Sequence, residues 1–394
     1  MKCGRGYNRL LINITDIKFT IIYLIFLKPA ILEDINLLDN LWNVGRFGLT
    51  ICFLGMLLLK NKNLCSTFYP ALIFILVFIS TLLHNGVIKI VLGHWIPILG
   101  LLAFLELNKK YLGRIINVFW SIGSLLIVLN LILIILFPQG VWKRNNYLPI
   151  WLLGQKQDFV ACILPTMLFG VLCHKKENRS NIYFLLVLIS VCITFHYSKP
   201  MGLIVCLVIF GCLIAINNFL KYRLSMRLLI NINLLFEILA ILIAFAYSNF
   251  GWLQEFLKTI SNVGMDKSQT LNIRFQMWIY SIKMIKENLF LGTGQISQDM
   301  WYKTSALEYY HTIIHNLPLD IAMTGGCIAL FLFIIWNSKM STKLSQGWDN
   351  RKNRYIGFAI FTLNILCVIE CPYQPIIFMI YALPFLIENK RDNL

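Results

Sequence analysis

Twelve runs of mostly apolar residues leave this chain few ways to fold. They fall at roughly 16–32, 46–59, 67–83, 88–106, 115–137, 159–173, 182–197, 201–219, 228–249, 317–337, 355–370 and 376–388. A helix crosses the ~30 Å hydrocarbon layer with ~20 such residues. In that layer every backbone amide must find its partner inside the segment, so long apolar runs become helices. Composition agrees: 58% of residues are hydrophobic and 13% charged, against about 45–50% and about 25% in soluble domains. The expectation is an all-α, polytopic integral membrane protein of about twelve transmembrane helices, with residues 1–394 as a single transmembrane domain. Residues 1–13 are polar and basic, and the first apolar run has no small-residue cleavage site, so no cleaved leader is expected.

A net charge of +17 raises the question of nucleic acid, and the placement of the cations answers it. With the N-terminus in the cytoplasm and sides alternating, one side collects most of the lysines and arginines. These include Lys2, Arg5, Arg9, Lys109, Lys110, Arg114, Lys175, Lys176, Arg351, Lys352 and Arg354. The opposite short loops hold few, among them Arg46, Lys143 and Arg144. This is the positive-inside bias that orients membrane proteins. The basic charge reads as an insertion signal, both termini are expected in the cytoplasm, and no nucleic-acid partner is expected. Lys28, beside Pro29, is expected to snorkel to the interface. The eleven cysteines lie mostly inside apolar runs and imply no disulfide framework.

No duplicated half stands out, and no pair of matched broken helices. The asymmetry lies elsewhere. Residues 250–315 form a large extracytoplasmic loop between spans 9 and 10, the kind of excursion that carries chemistry. Within it, Asn272 to Glu287 reads as an amphipathic helix, with Ile273, Met277, Tyr280, Met284 and Ile285 set among Arg274, Lys283 and Lys286. Such a helix is expected to lie in the interface plane. Leu291-Gly292-Thr293-Gly294 stops it. A second helical stretch is expected from about Ala306, leading to His311, His315 and Asn316.

Here the residues become specific. Arg274 and Trp278, then Gly292-Thr293-Gly294, then His315-Asn316, then Gly325-Gly326 occur in this order. The ordered set resembles the signature of the O-antigen ligase and O-antigen polymerase superfamily. Two further segments resemble its central motifs. Trp151 to Asp158 lies before the sixth span, with Gln157 where the family often has asparagine. Ser198-Lys199 lies at the turn between spans seven and eight, with lysine for the usual arginine. The resemblance covers roughly residues 150–375; the first third matches in hydropathy only.

The resemblance implies a glycosyltransferase that moves glycan from a polyprenyl pyrophosphate carrier to an acceptor hydroxyl, with no cofactor and no metal. A guanidinium suits the diphosphate leaving group, being permanently charged and binding phosphate oxygens in a fork. Arg274 and Lys199 are therefore assigned to the diphosphate, with Lys156 and Gln157 beside them as substrate-binding candidates. His315 is the candidate general base, histidine being the side chain that titrates near neutrality. Each residue also has a structural reading. Arg274 anchors an interfacial helix, Lys199 caps a turn, and His315 starts a helix. Trp278 reads as packing or as a sugar platform. Glu370, at the end of span eleven, is a charge at a span's edge and a candidate for the acceptor path. His311 with Glu308 has the spacing to grip zinc, but no metal motif accompanies them. Gly292 and Gly294 read as a tight turn rather than a phosphate loop.

The leading functional expectation is a repeat-unit polymerase of capsule or O-antigen type at the outer face of a bacterial inner membrane. A ligase transferring glycan to a lipid A core is the enzyme alternative. A flippase or transporter is the alternative of another class. Expected partners are the lipid-linked oligosaccharide, the bilayer, and a chain-length regulator and flippase of the same pathway.

Overall fold

The computed structural model describes residues 14–30, 35–60, 66–144, 148–173, 178–219, 225–249, 255, 265–297 and 314–387. Among them thirteen α-helices follow one another. They are α1 (Ile14–Leu27), α2 (Asn36–Leu59), α3 (Phe68–Leu83), α4 (Ile88–Leu107), α5 (Leu112–Leu136), α6 (Val160–Cys173) and α7 (Asn178–Ser198). Then come α8 (Met201–Phe219), α9 (Met226–Asn249), α10 (Met265–Glu287), α11 (Leu317–Gln346), α12 (Arg351–Ile369) and α13 (Pro375–Leu386). The twelve apolar runs each become a helix, and the amphipathic segment of the loop becomes α10. The chain is an all-α polytopic membrane protein. The stretch from about Ala306, with Glu308 and His311, lies outside the described residues.

Five helices are individually long and apolar enough to cross a bilayer: α2, α4, α5 with the turn before it, α8 and α11. The helices sort into lipid-facing and central ones. On α2, Leu37, Leu41, Val44, Ile51, Leu58 and Leu59 are exposed, and α7 and α9 present similar greasy faces. Lipid tails solvate such side chains as well as a core does. The short α13 is the opposite case. Its residues Pro375 to Leu383 are all buried, as expected of a helix apolar on every side. At 1.5 Å per residue it is only ~18 Å long, and it packs against α4, α6, α11, α12 and α1. It is the central rod of the bundle.

Two local breaks position the site. Between α5 and α6 the chain makes a two-stranded antiparallel ribbon, β1 (Trp142–Arg144) with β2 (Leu148–Ile150), Trp142 facing Ile150. Trp151 Nε1 donates to Phe137 O at 2.9 Å, and Leu153 N donates to Asn130 Oδ1 at 3.0 Å, pinning the turn that follows to α5. The second break is in α11, where Gly326 leaves helical geometry (φ 76, ψ 179). The residues after α10 fill that gap. Cys327 N donates to Leu289 O at 2.8 Å, Thr293 N to Met323 O at 2.7 Å and Gly294 N to Thr324 O at 3.1 Å. On the other side Gln295 N donates to Thr81 Oγ1 at 3.0 Å, and Val87 N to Gln295 O at 2.7 Å. The Gly-Thr-Gly segment is thus a backbone wedge between α3 and α11. A Cβ on Gly292 would strike Met323 O, and one on Gly294 would strike the Thr81 backbone. Close backbone approach explains both glycines.

Candidate functional site

The site is built where the middle of α10 meets the start of α11 and the end of α12. α10 turns Met277, Trp278 and Ser281 inward and packs on α9 and α11. It is a docked element, held by those two helices. Trp278 is 4% exposed and its indole Nε1 donates to Ile314 O at 3.1 Å. With its ring covered, the residue fixes the backbone just before His315 instead of offering a face to a sugar.

His315 itself has φ 55, left-handed backbone that non-glycine residues adopt at a cost of ~1–3 kcal/mol. Its neighbour holds it there. Asn316 is the N-cap of α11, its Oδ1 accepting from Leu319 N at 3.0 Å, and its Nδ2 donates to Val368 O at 3.2 Å. One buried amide side chain therefore registers the start of α11 against the end of α12, two residues before Glu370.

Glu370 is the hub. Arg274 Nη2 donates to Glu370 Oε1 at 2.6 Å, and His315 Nδ1 lies 2.9 Å from Oε2. The three side chains are 15%, 23% and 22% exposed for Arg274, Glu370 and His315. Burial pushes the Glu370 carboxyl up, but the His315 hydrogen bond and the Arg274 charge pull it further down, leaving it below the ordinary 4.5. Glu370 is therefore an ionised acceptor at neutral pH. An ionised carboxylate has only lone pairs to offer, so His315 Nδ1 must be the donor. In the neutral ring the lone pair then lies on Nε2. Arg274 keeps a buried Nε with no hydrogen-bond partner among the described residues. Such an orphan donor costs ~1–3 kcal/mol, and a bound oxyanion would satisfy it.

A second layer supports the first. Tyr373 OH donates to Asp320 Oδ2 at 2.6 Å, and Ile314 N reaches toward Asp320 Oδ1 at 3.5 Å. Burial first, and then the Asp320 charge, hold the Tyr373 phenol protonated, so it remains a donor. Asp320 and Tyr373 are the residues that sequence reasoning missed. The signal for Asp320 was present, since it is a charge four residues into an apolar run, and charges there are costly.

The remaining candidates lie in other elements. Lys199, exposed and with φ 49, sits at the tight turn between α7 and α8. Lys156 and Gln157 are exposed on the turn before α6. That turn is closed by Gln155 N donating to Asp158 Oδ2 at 2.9 Å. Lys28 departs from the snorkelling expectation: it pairs with Asp39 at 2.7 Å and is 14% exposed.

A helical membrane bundle with a carboxylate joining a guanidinium to an imidazole defines a class: a polytopic membrane protein with a half-buried cluster of ionisable groups at the ends of its helices. A comparison with known families narrows this class for part of the chain. Residues 150–334 match the family model described as O-antigen ligase, so this part of the chain carries an O-antigen ligase family domain, in line with the O-antigen ligase and polymerase superfamily. No curated protein matches the chain in sequence. The family points to ligase- or polymerase-type function, and its members are membrane glycosyltransferase-like enzymes. The matched segment contains Arg274, Trp278, His315 and Asn316 but stops before Glu370.

Proposed function

We propose that this protein is a repeat-unit polymerase that joins polyprenyl-pyrophosphate-linked oligosaccharides into capsular or O-antigen polysaccharide at the outer face of a bacterial inner membrane. The observation that carries the reading is Glu370 bonded at once to Arg274 and His315. In the reaction the acceptor hydroxyl oxygen bonds to the anomeric carbon of the donor sugar. The bond from that carbon to the diphosphate oxygen breaks, and its electron pair leaves with the diphosphate. Arg274 holds the leaving oxygens, where charge develops and fixed cations act most strongly. His315 takes the hydroxyl proton at Nε2. Glu370 fixes the imidazole's tautomer and orientation and stabilises the imidazolium that forms, the role of the carboxylate in a hydrolase triad.

Lys199 and Lys156 serve in this reading as further cations on the path of the carrier head group, with Gln157 beside them. The substitutions at 157 and 199 favour a polymerase, the more variable of the two enzyme types. The O-antigen ligase family that the chain matches speaks for the ligase, which uses the same donor chemistry on a lipid A core. A chain-length regulator and a flippase would work beside the polymerase. Purified protein given polyprenyl-pyrophosphate oligosaccharide tests all of this. A ladder of products supports the polymerase, and a single transfer to a core acceptor supports the ligase. Neither product from a folded protein excludes both.

A further inference from the structure

The end of α11 and the start of α12 meet far from the Glu370 cluster. α12 has 19 residues, so its first turn lies ~28 Å from Glu370 along the helix axis. The apolar run of α11 ends near residue 337, yet the helix continues to Gln346. That extension is packed against the bundle. Met340 and Leu344 on it are buried, and Trp348 just beyond it meets Phe358 edge to face, ring centroids 6.1 Å apart. The turn into α12 is tied as firmly. Asn353 Nδ2 donates to Gly347 O at 2.9 Å, and Arg354 Nη1 donates to Trp348 O at 3.0 Å and to Asp349 O at 2.9 Å. Asn350 caps α12, its Oδ1 accepting from Lys352 N at 3.0 Å.

This fixed corner is cationic. Residues 338–354 hold Lys339, Lys343, Arg351, Lys352 and Arg354, with Asp349 as the one acid. Lys339, Lys343, Arg351 and Lys352 are exposed, and Lys339 and Lys343 share a face of α11, one turn apart. Among the described residues none of the five cations is in an ion pair. Arg351 lies over the Tyr355 ring and donates to its hydroxyl, which in turn donates to Asn218 Oδ1 at 3.1 Å. Like charges one turn apart on a helix repel, and an anion bound between them would relieve the repulsion. The setting selects the kind of anion. The apolar runs of α11 and α12 lead straight into the corner, which places it at the bilayer surface. Tryptophan, here Trp348, favours that head-group layer.

We propose that this corner is a docking site for the phosphate head group of an anionic phospholipid, in the leaflet opposite the Glu370 cluster, with Lys339 and Lys343 as its main contacts. The inference stands apart from the polymerase reading. It also differs from a general excess of positive charge on one side of the membrane, because the cations here are arrayed on a corner that packing holds in one shape.

The test titrates the detergent-purified full chain with dioleoyl phosphatidylglycerol or dioleoyl phosphatidylcholine and counts bound lipid by native mass spectrometry. Phosphatidylglycerol should bind in preference, and salt should weaken it. Lys339→Gln with Lys343→Gln should weaken phosphatidylglycerol binding by about tenfold or more at an unchanged thermal midpoint. Should that pair fail to fold, Lys352→Gln gives a second reading in the same direction. Lys109→Gln with Lys110→Gln removes two cations from another helix junction and should change binding by less than about twofold. Equal losses in the two double variants would overturn the site in favour of diffuse surface charge. Equal binding of the two lipids would overturn it too, as would undiminished binding by the folded Lys339→Gln, Lys343→Gln chain. Displacement of the lipid by soluble polyglutamate at equal charge concentration would assign the corner to an acidic protein segment and overturn the lipid reading.

Discussion

The Arg274–Glu370–His315 cluster and the cavity of about 1020 Å³ lined by Arg46 and Lys89 share the 370–375 segment but treat charge in opposite ways. In the cluster the carboxylate sits 2.6 Å from the guanidinium and 2.9 Å from the imidazole. The groups hold one another, and little net charge remains to attract anything from a distance. In the cavity Lys28 is paired with Asp39 at 2.7 Å, and Arg46, Lys89 and Asp158 line open space. The difference separates two tasks. A closed network fixes tautomer and orientation at the cost of long-range attraction, which suits proton transfer. An open polar space can admit a ligand but cannot by itself orient a base.

The comparison breaks most readily at His315. His315→Asn tolerates the left-handed backbone and removes the base. Product formation should fall by about 10²–10⁴-fold with thermal stability nearly unchanged. Lys89→Glu, outside the cluster, should leave product formation at saturating substrate in place. A variant at 315 that kept full activity would erase the division of labour.

The next effect is structural. Gly326→Ala places a Cβ against the Phe290 carbonyl at a residue with φ 76. It should lose at least about 2 kcal/mol, read as a lower thermal midpoint in detergent. An equal loss is not expected for Gly45→Ala, where a Cβ meets nothing within 4 Å. That control sharpens the claim that the wedge after α10 holds the cluster together.

A smaller effect comes from the ion pair. Arg274→Gln and Glu370→Gln should each destabilise the fold, and the double variant should recover about 1–3 kcal/mol of coupling. A coupling near zero would mean that the two charges are independently solvated. The smallest effect is on pH. The folded-state carboxyl of Glu370 lies below its ordinary 4.5. Its stabilising contribution is therefore full above about pH 4.5 and is lost as pH falls through the lowered value. Glu370→Gln should flatten the acid limb of stability against pH, whereas Lys89→Gln should leave it intact.

Much of this was legible in the sequence, for stated reasons. Span-length apolar runs place helices because lipid allows no other backbone solution, and all twelve appear. Arg274 and His315 stood out through the order of residues around them. Glu370 was visible as a charge at a span's edge, but its role was not, because its partners lie 96 and 55 residues away. The break at Gly326 was hidden too. Two adjacent glycines signal flexibility, and only the backbone wedge from residues 289–295 shows what fills the gap. The cavity was the least legible part. Lys28 read as a snorkelling interface charge and Arg46 as a loop charge, and only helix packing gathers them with Lys89.

The most direct measurement of the central claim uses purified protein in lipid nanodiscs with polyprenyl-pyrophosphate-linked oligosaccharide. Products of the unmodified chain, His315→Asn and Glu370→Gln are resolved by size. The account predicts a ladder from the unmodified chain and its near-disappearance in both variants, each still folded. A ladder of undiminished yield from folded His315→Asn would contradict it.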